Sequence, residues 1–180
     1  CPTDQYTRMD PDTTHQATDL CAFIDASPSP FHAVDTAAAR LEAAGFVEGT
    51  PADGPGLRYQ VSSGSLVAWA AGPGAVTGFR VLTAHTDSPN LRLTPKPARG
   101  ANGMRHLGSE VYGGALLSSW LGRDLGCSGR RAVRAGDGLE EVLVRLDRPS
   151  ARIPQLASHH DRGVNTKGLV LDHHTHLSPI

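Results

Sequence analysis

The sequence predicts an α/β fold, a helix-flanked sheet followed by a β-rich region, on three observations. Two apolar runs of strand length, Leu66-Val67-Ala68-Trp69-Ala70 and then Phe79, Val81 and Leu82, are continuous rather than alternating, as in strands covered on both faces. Ahead of them, apolar residues recur at helical spacing on either side of Ser27-Pro28-Ser29-Pro30. Beyond about residue 94 the pattern changes, and segments such as 139–146 alternate like half-exposed strands.

Residues 1–14 are polar and carry Pro2, Asp10, Pro11 and Asp12, which predicts a loose terminus reaching to about residue 17. Leu20, Phe23 and Ile24 then place a first helix over 18–26. Ser29 suits an N-cap and Pro30 the first helical position, so a second helix follows, its stripe of Val34, Ala37, Ala38 and Leu41 ending before Gly45. Residues 46–64 are rich in glycine, proline and serine. The run at 66–70 and the run at 79–82 are the expected central strands, and the second ends directly at Thr83-Ala84-His85-Thr86-Asp87-Ser88-Pro89. Ligand-capable residues at the carboxyl end of a buried strand stand where open α/β sheets place their sites. Pro95, Pro97, Arg99, Gly100 and Gly103 predict a basic loop, so the domains divide as 18–93 and 94–180. The segment Leu116-Leu117-Ser118-Ser119-Trp120-Leu121 fits either a helical turn or a hairpin.

Seventeen basic and 18 acidic side chains leave a net charge of -1, so no overall field draws in nucleic acid or an anionic membrane. No apolar run approaches the roughly 20 residues that span a bilayer. Cys1, Cys21 and Cys127 are an odd, widely spaced set without a CxxC pair, which argues against a disulfide scaffold or thiolate zinc finger and for a reducing cytoplasm. The 20 glycines and 13 prolines exceed the usual combined share of roughly 12% and predict many turns. A start at Cys1 and a stop at Ser178-Pro179-Ile180 read as a piece of a longer protein.

His85 and Asp87 are the sharpest chemical pair. Residues two apart on extended backbone point to the same side. A neutral imidazole gives one nitrogen lone pair to zinc while a carboxylate orients the ring through its other nitrogen. The same pair also suits a general base, or a polar strand end in which Asp87 and Ser88 cap a turn before Pro89. The His173, His174 and His176 run, with Asp172 beside it, reads as a surface loop with adventitious metal affinity at most. His32 has a structural place at a helix start, and His15 and His106 carry no signal. Arg99 and Arg105 read as a solvated loop.

Asp25-Ala26-Ser27-Pro28-Ser29-Pro30-Phe31-His32-Ala33-Val34, Ala84-His85-Thr86-Asp87-Ser88-Pro89 and Glu110-Val111-Tyr112-Gly113-Gly114 come in that order. Arg123-Asp124-Leu125, Gly129-Arg130, Arg148-Pro149, Arg152-Ile153-Pro154, Leu156-Ala157 with His159, and His176-Leu177-Ser178-Pro179-Ile180 follow. From about residue 18 onward this set resembles the aspartyl aminopeptidase family of dinuclear zinc metallopeptidases. After Gly114 the chain departs from the family pattern with Ala115, Leu116 and Leu117.

The resemblance implies part of a catalytic α/β domain interrupted by an inserted β-rich oligomerisation domain, with a hairpin around Trp120. It also implies removal of amino-terminal Asp or Glu from peptides, two Zn2+ ions per complete site, and a homo-oligomer. By the same resemblance His85 is a zinc ligand, Asp87 supports the metal site, and His159 reaches a neighbouring subunit's substrate; His160 is excluded because successive strand residues point to opposite faces. The family's remaining acidic ligands and last histidine have no counterpart here. Glu140-Glu141 lacks the surroundings of the family's glutamate pair and reads as a solvated strand edge. The rival reading is a non-catalytic oligomerisation or scaffold fragment, since one strong ligand candidate falls short of the usual three. A related dinuclear deacylase or carboxypeptidase shares the HxD logic but leaves the matches at 112–180 unexplained.

Overall fold

The computed structural model describes residues 11–75, 77–101 and 103–180. The chain divides into two compact units, Cys1–Asp87 with Gly129–Leu143, and Ser88–Ser128 with Val144–Ile180.

In the first unit, α1 (Pro11–Ala26) and α2 (Pro30–Ala43) precede a three-stranded sheet of β1 (Val47–Glu48), β2 (Gly56–Ser62) and β3 (Ser65–Ala71), in the order β1-β2-β3. Helix α1 begins at Pro11, so the loose terminus expected over 1–17 is helical from 11 onward, and residues 1–10 lie outside the described residues. Proline and Asp12 suit a first helical turn, and the Gln16 amide donates to the Asp12 carboxylate at 3.1 Å. Helix α2 starts as its sequence dictates. Ser29 is the N-cap and accepts from the His32 amide at 3.4 Å, Pro30 opens the helix, and Ala33 and Val34 are buried.

Strand β1 runs parallel to β2, and β2 pairs antiparallel with β3 through a two-residue turn, Ser63-Gly64. Leu57, Tyr59 and Val61 alternate along β2. Tyr59 is buried, and its hydroxyl donates to Glu42 of α2 at 2.6 Å. Two expectations of central strands need correction. The run at 66–70 forms β3, which lies at the sheet's edge with Val67 exposed. The run at 79–82 joins no sheet, and Phe79, Val81 and Leu82 are 86%, 75% and 99% exposed. Continuous hydrophobicity signals burial on two faces only where strands and helices are present to cover them. Among the described residues none pairs with 77–85.

In the second unit, β4 (Asn90–Ala101) and β5 (Met104–Tyr112) form an antiparallel pair. The basic loop expected at 95–103 is instead mostly strand. Pro95 and Pro97 fall in a register break between Leu93 and Ala98, where a missing N–H costs no ladder bond, and Lys96 there has φ +54°. Around Trp120 the chain takes the helical-turn alternative, a single 3-10 turn, Leu117–Trp120, and not the hairpin that the resemblance implies. The Ser119 hydroxyl donates back to the Leu116 carbonyl at 2.7 Å, a local bond that competes with strand pairing.

Strands β6 (Asp124–Ala135) and β7 (Gly138–Arg152) form a two-stranded hairpin closed by Gly136-Asp137, with Gly136 at φ +56° as its first central position requires. A short helix, α3 (Val164–Lys167), follows. Ile153 and Leu177 are fully buried. The terminal segment is tied down by paired bonds between Arg152 and Ile180, each 2.9 Å, by the Leu107 amide to Pro179 at 2.8 Å, and by the Ser109 hydroxyl to Leu177 at 2.8 Å. Among the described residues no helix is long and apolar enough to cross a membrane.

Candidate functional site

His85 and Asp87 meet across a bend at Thr86, in the segment after β3. The imidazole Nδ1 lies 2.5 Å from the Asp87 backbone carbonyl and 3.3 Å from the Asp87 carboxylate. Both are acceptors, so Nδ1 is the donating nitrogen, and in the neutral ring the lone pair is then on Nε2. The His85 side chain is 80% exposed, which leaves Nε2 open to an incoming ligand. Between the pair, the Thr86 hydroxyl donates to the Gly64 carbonyl at 2.7 Å. Gly64 sits in the β2–β3 turn against Pro30 and Phe31 of α2, at distances where even a Cβ would make ordinary contact, 3.5 Å. On Phe31 rests the Arg130 guanidinium, 4.2 Å from the ring centroid, and Arg130 is ion-paired to Glu141 at 2.6 Å.

The sequence brings out His85 and Asp87 but neither Thr86, Gly64 nor Arg130. Thr86 was open to notice through its place inside the HxD motif. Arg130 and Phe31 stand far apart in the chain, and no local pattern announces their contact. Glu141, paired to Arg130, is the solvated strand residue expected of it.

The imidazole held by a carboxylate, with one nitrogen free, fits a zinc ligand and its orienter. Among the described residues no three His, Cys, Asp or Glu side chains cluster to hold a metal. His159 stands in an exposed turn with His160, ring centroids 4.0 Å apart. The two residues lie in a turn and not on a strand, so alternation does not separate their rings and does not exclude His160. The His173 to His176 run is a turn organised by Asp172, whose carboxylate accepts from the amides of His174 and Thr175 at 3.1 and 2.9 Å. Together with the Thr175 hydroxyl, these donors hold the Asp172 carboxyl below its ordinary range. His32 Nδ1 is paired with the Ser29 hydroxyl at 2.7 Å. In the second unit an open cavity of about 410 Å³ lies between Pro89, Leu116, Trp120 and Arg123, and neither His85, Asp87 nor His159 lines it.

Residues 23–180 match the family of aminopeptidase I zinc metalloproteases, M18. The chain belongs to this family. A probable M18 family aminopeptidase 2 of Streptomyces avermitilis is 52% identical over 168 residues, which are 90% of this chain and 38% of that protein. The chain thus spans well under half the length of its M18 relative. Among solved structures, the Ape4 and Nbr1 complex matches with a TM-score of 0.84 and 33% identity, over 96% of this chain and 35% of that one. The S. cerevisiae mApe1 dodecamer matches with a TM-score of 0.69 and 26% identity, over 82% of this chain and 37% of that one. These M18 neighbours agree with a mixed α/β chain that carries part of the family's fold.

Proposed function

We propose that the protein to which this chain belongs is a zinc-dependent aminopeptidase of the aspartyl type, releasing amino-terminal Asp or Glu from peptides. The observation that carries the reading is the His85–Asp87 pair, an imidazole with Nδ1 engaged and Nε2 free, on a chain that matches the M18 family over 23–180. In this reading His85 holds one of two zinc ions through Nε2, and Asp87 fixes the tautomer and the ring plane. When bound, zinc acidifies a water and polarises the scissile carbonyl. His159, exposed in its turn, donates a hydrogen bond to substrate in a neighbouring subunit of a homo-oligomer. Residues 18–93 belong to the catalytic domain and residues 94–180 to an inserted β-rich oligomerisation domain. The exposure of Phe79, Val81 and Leu82 supports a catalytic sheet completed by further chain. The thiols of Cys21 and Cys127 accord with a cytoplasmic location.

The test is hydrolysis by the full-length protein of peptides beginning with Asp, Glu, Leu or Arg. Release of Asp and Glu, lost with chelator and restored by zinc, is expected. Preference for Leu or Arg overturns the substrate claim. The absence of a three-ligand cluster among the described residues favours a second reading for the 180-residue chain by itself, a non-catalytic module. Zinc retained by that chain as tightly as by the full-length protein would exclude it.

A further inference from the structure

We propose that Thr86 is a positioning residue for zinc, its hydroxyl anchoring the His85–Asp87 pair on the β2–β3 turn. The inference rests on the reading of His85 as a zinc ligand. No backbone hydrogen bond among the described residues joins 77–85 to the rest of the chain, and the apolar side chains just before His85 lie in solvent. A sheet ladder completed over 77–85 by further chain would still end before Thr86, so the residue between ligand and orienter needs a tie of its own. The Thr86 hydroxyl supplies such a tie, reaching the Gly64 carbonyl at 2.7 Å across 22 residues of sequence. Threonine suits the task, because its β-branch restricts χ1 and so fixes where the hydroxyl points.

The acceptor is itself well placed. Gly64 belongs to a two-residue turn whose other member, Ser63, takes φ +56°, and the turn lies against Pro30 and Phe31 at the start of α2. Arg130 covers the Phe31 ring and is only 27% exposed there, with Glu141 neutralising its charge at 2.6 Å. Helix, turn and the paired strands of the β6–β7 hairpin therefore buttress one carbonyl oxygen, and that oxygen holds the residue between the metal ligand and its orienter. Removing the hydroxyl leaves His85 and Asp87 chemically intact but frees their backbone, so ordering that segment becomes a cost of binding metal.

The experiment measures zinc affinity of the full-length protein by competition with a chromophoric chelator in wild type, Thr86→Val, Thr86→Ala, Thr86→Ser and His85→Ala. Circular dichroism and thermal melting of the metal-free forms are recorded alongside. Thr86→Val and Thr86→Ala are expected to weaken zinc binding by about tenfold, at the low end of what outer-shell losses do to metal sites, with metal-free melting unchanged. Thr86→Ser keeps the hydroxyl and is expected within about twofold of wild type. Should Thr86→Val misfold, Thr86→Ala, which adds no new methyl, carries the test. Wild-type affinity in the hydroxyl-free variants, with His85→Ala weakened, overturns the positioning role alone, as does an equal loss in Thr86→Ser. Wild-type affinity in His85→Ala overturns the ligand reading and this inference with it.

Discussion

The Nδ1 atom of His85 is held by Asp87 twice, at 2.5 Å from its backbone carbonyl and at 3.3 Å from its carboxylate. The two contacts do different work. The carbonyl takes the closer contact with Nδ1 and orients the ring, whereas the carboxylate places a negative charge beside it.

Asp87→Asn separates these contributions. The substitution keeps the backbone carbonyl and the side chain's size, and it removes the charge. Zinc is expected to remain bound while kcat of the full-length enzyme falls by roughly 10 to 100-fold, the usual loss for an outer-shell partner. Metal content and turnover measured on the same preparation check this, and unchanged turnover assigns Asp87 to turn capping.

That pair was legible in the sequence because the two residues are close neighbours in the chain, although they meet across a bend at Thr86 and not on the extended backbone that the spacing argument assumes. Helix α2 was legible for a similarly local reason, since Ser29 and Pro30 specify its first turn. Burial was not legible in the same way. Phe79, Val81 and Leu82 have a core strand's composition, but composition states only what would gain from being covered. Likewise Pro95 and Pro97 looked like loop residues because the rule against proline in strands is relaxed at a register break, which depends on the partner β5. The buttress from Arg130 through Phe31 and Gly64 to Thr86 joins four parts of the chain that share no period.

Tyr59 gives the first unit a dependence on high pH. The Glu42 carboxylate that accepts its hydroxyl, together with burial, pushes its pKa up from 10.0 to about 12. An unfolded chain releases this proton near pH 10 and the folded one retains it, so between pH 10 and 12 rising pH favours unfolding. The stabilisation is fully present below pH 10. Tyr59→Phe lacks the titrating group, and its melting temperature is expected to fall less steeply over that interval than wild type's.

Ile153 is wholly buried in the second unit. Its carbonyl accepts from Gly122 at 2.8 Å, and it bridges in parallel to Leu121. Ile153→Ala leaves the backbone contacts in place and empties the side-chain volume, at a cost of about 2–5 kcal/mol. Earlier thermal unfolding of the full-length protein is expected. A melting curve superimposable on wild type's would show that the site collapses without loss.

His159 offers a test of the oligomer through chemistry rather than size. An imidazole that donates to a developing oxyanion is typically worth about 100 to 1,000-fold in rate. If it does so across a subunit boundary, His159→Ala and His85→Ala each disable every site in their own homo-oligomers. In a mixed assembly some interfaces then pair an intact His85 with an intact His159. The close approach of the His160 ring, 4.0 Å between centroids, makes His160→Ala the necessary companion, because either imidazole of the exposed turn is free to fill the role. Mixing inactive His159→Ala and His85→Ala subunits is expected to restore activity in proportion to hybrid assembly, with His160→Ala active by itself. Hybrids that assemble but stay inactive argue that His159 works within its own subunit or not at all. Recovery with His160→Ala in place of an active His159→Ala would move the role one residue along the turn.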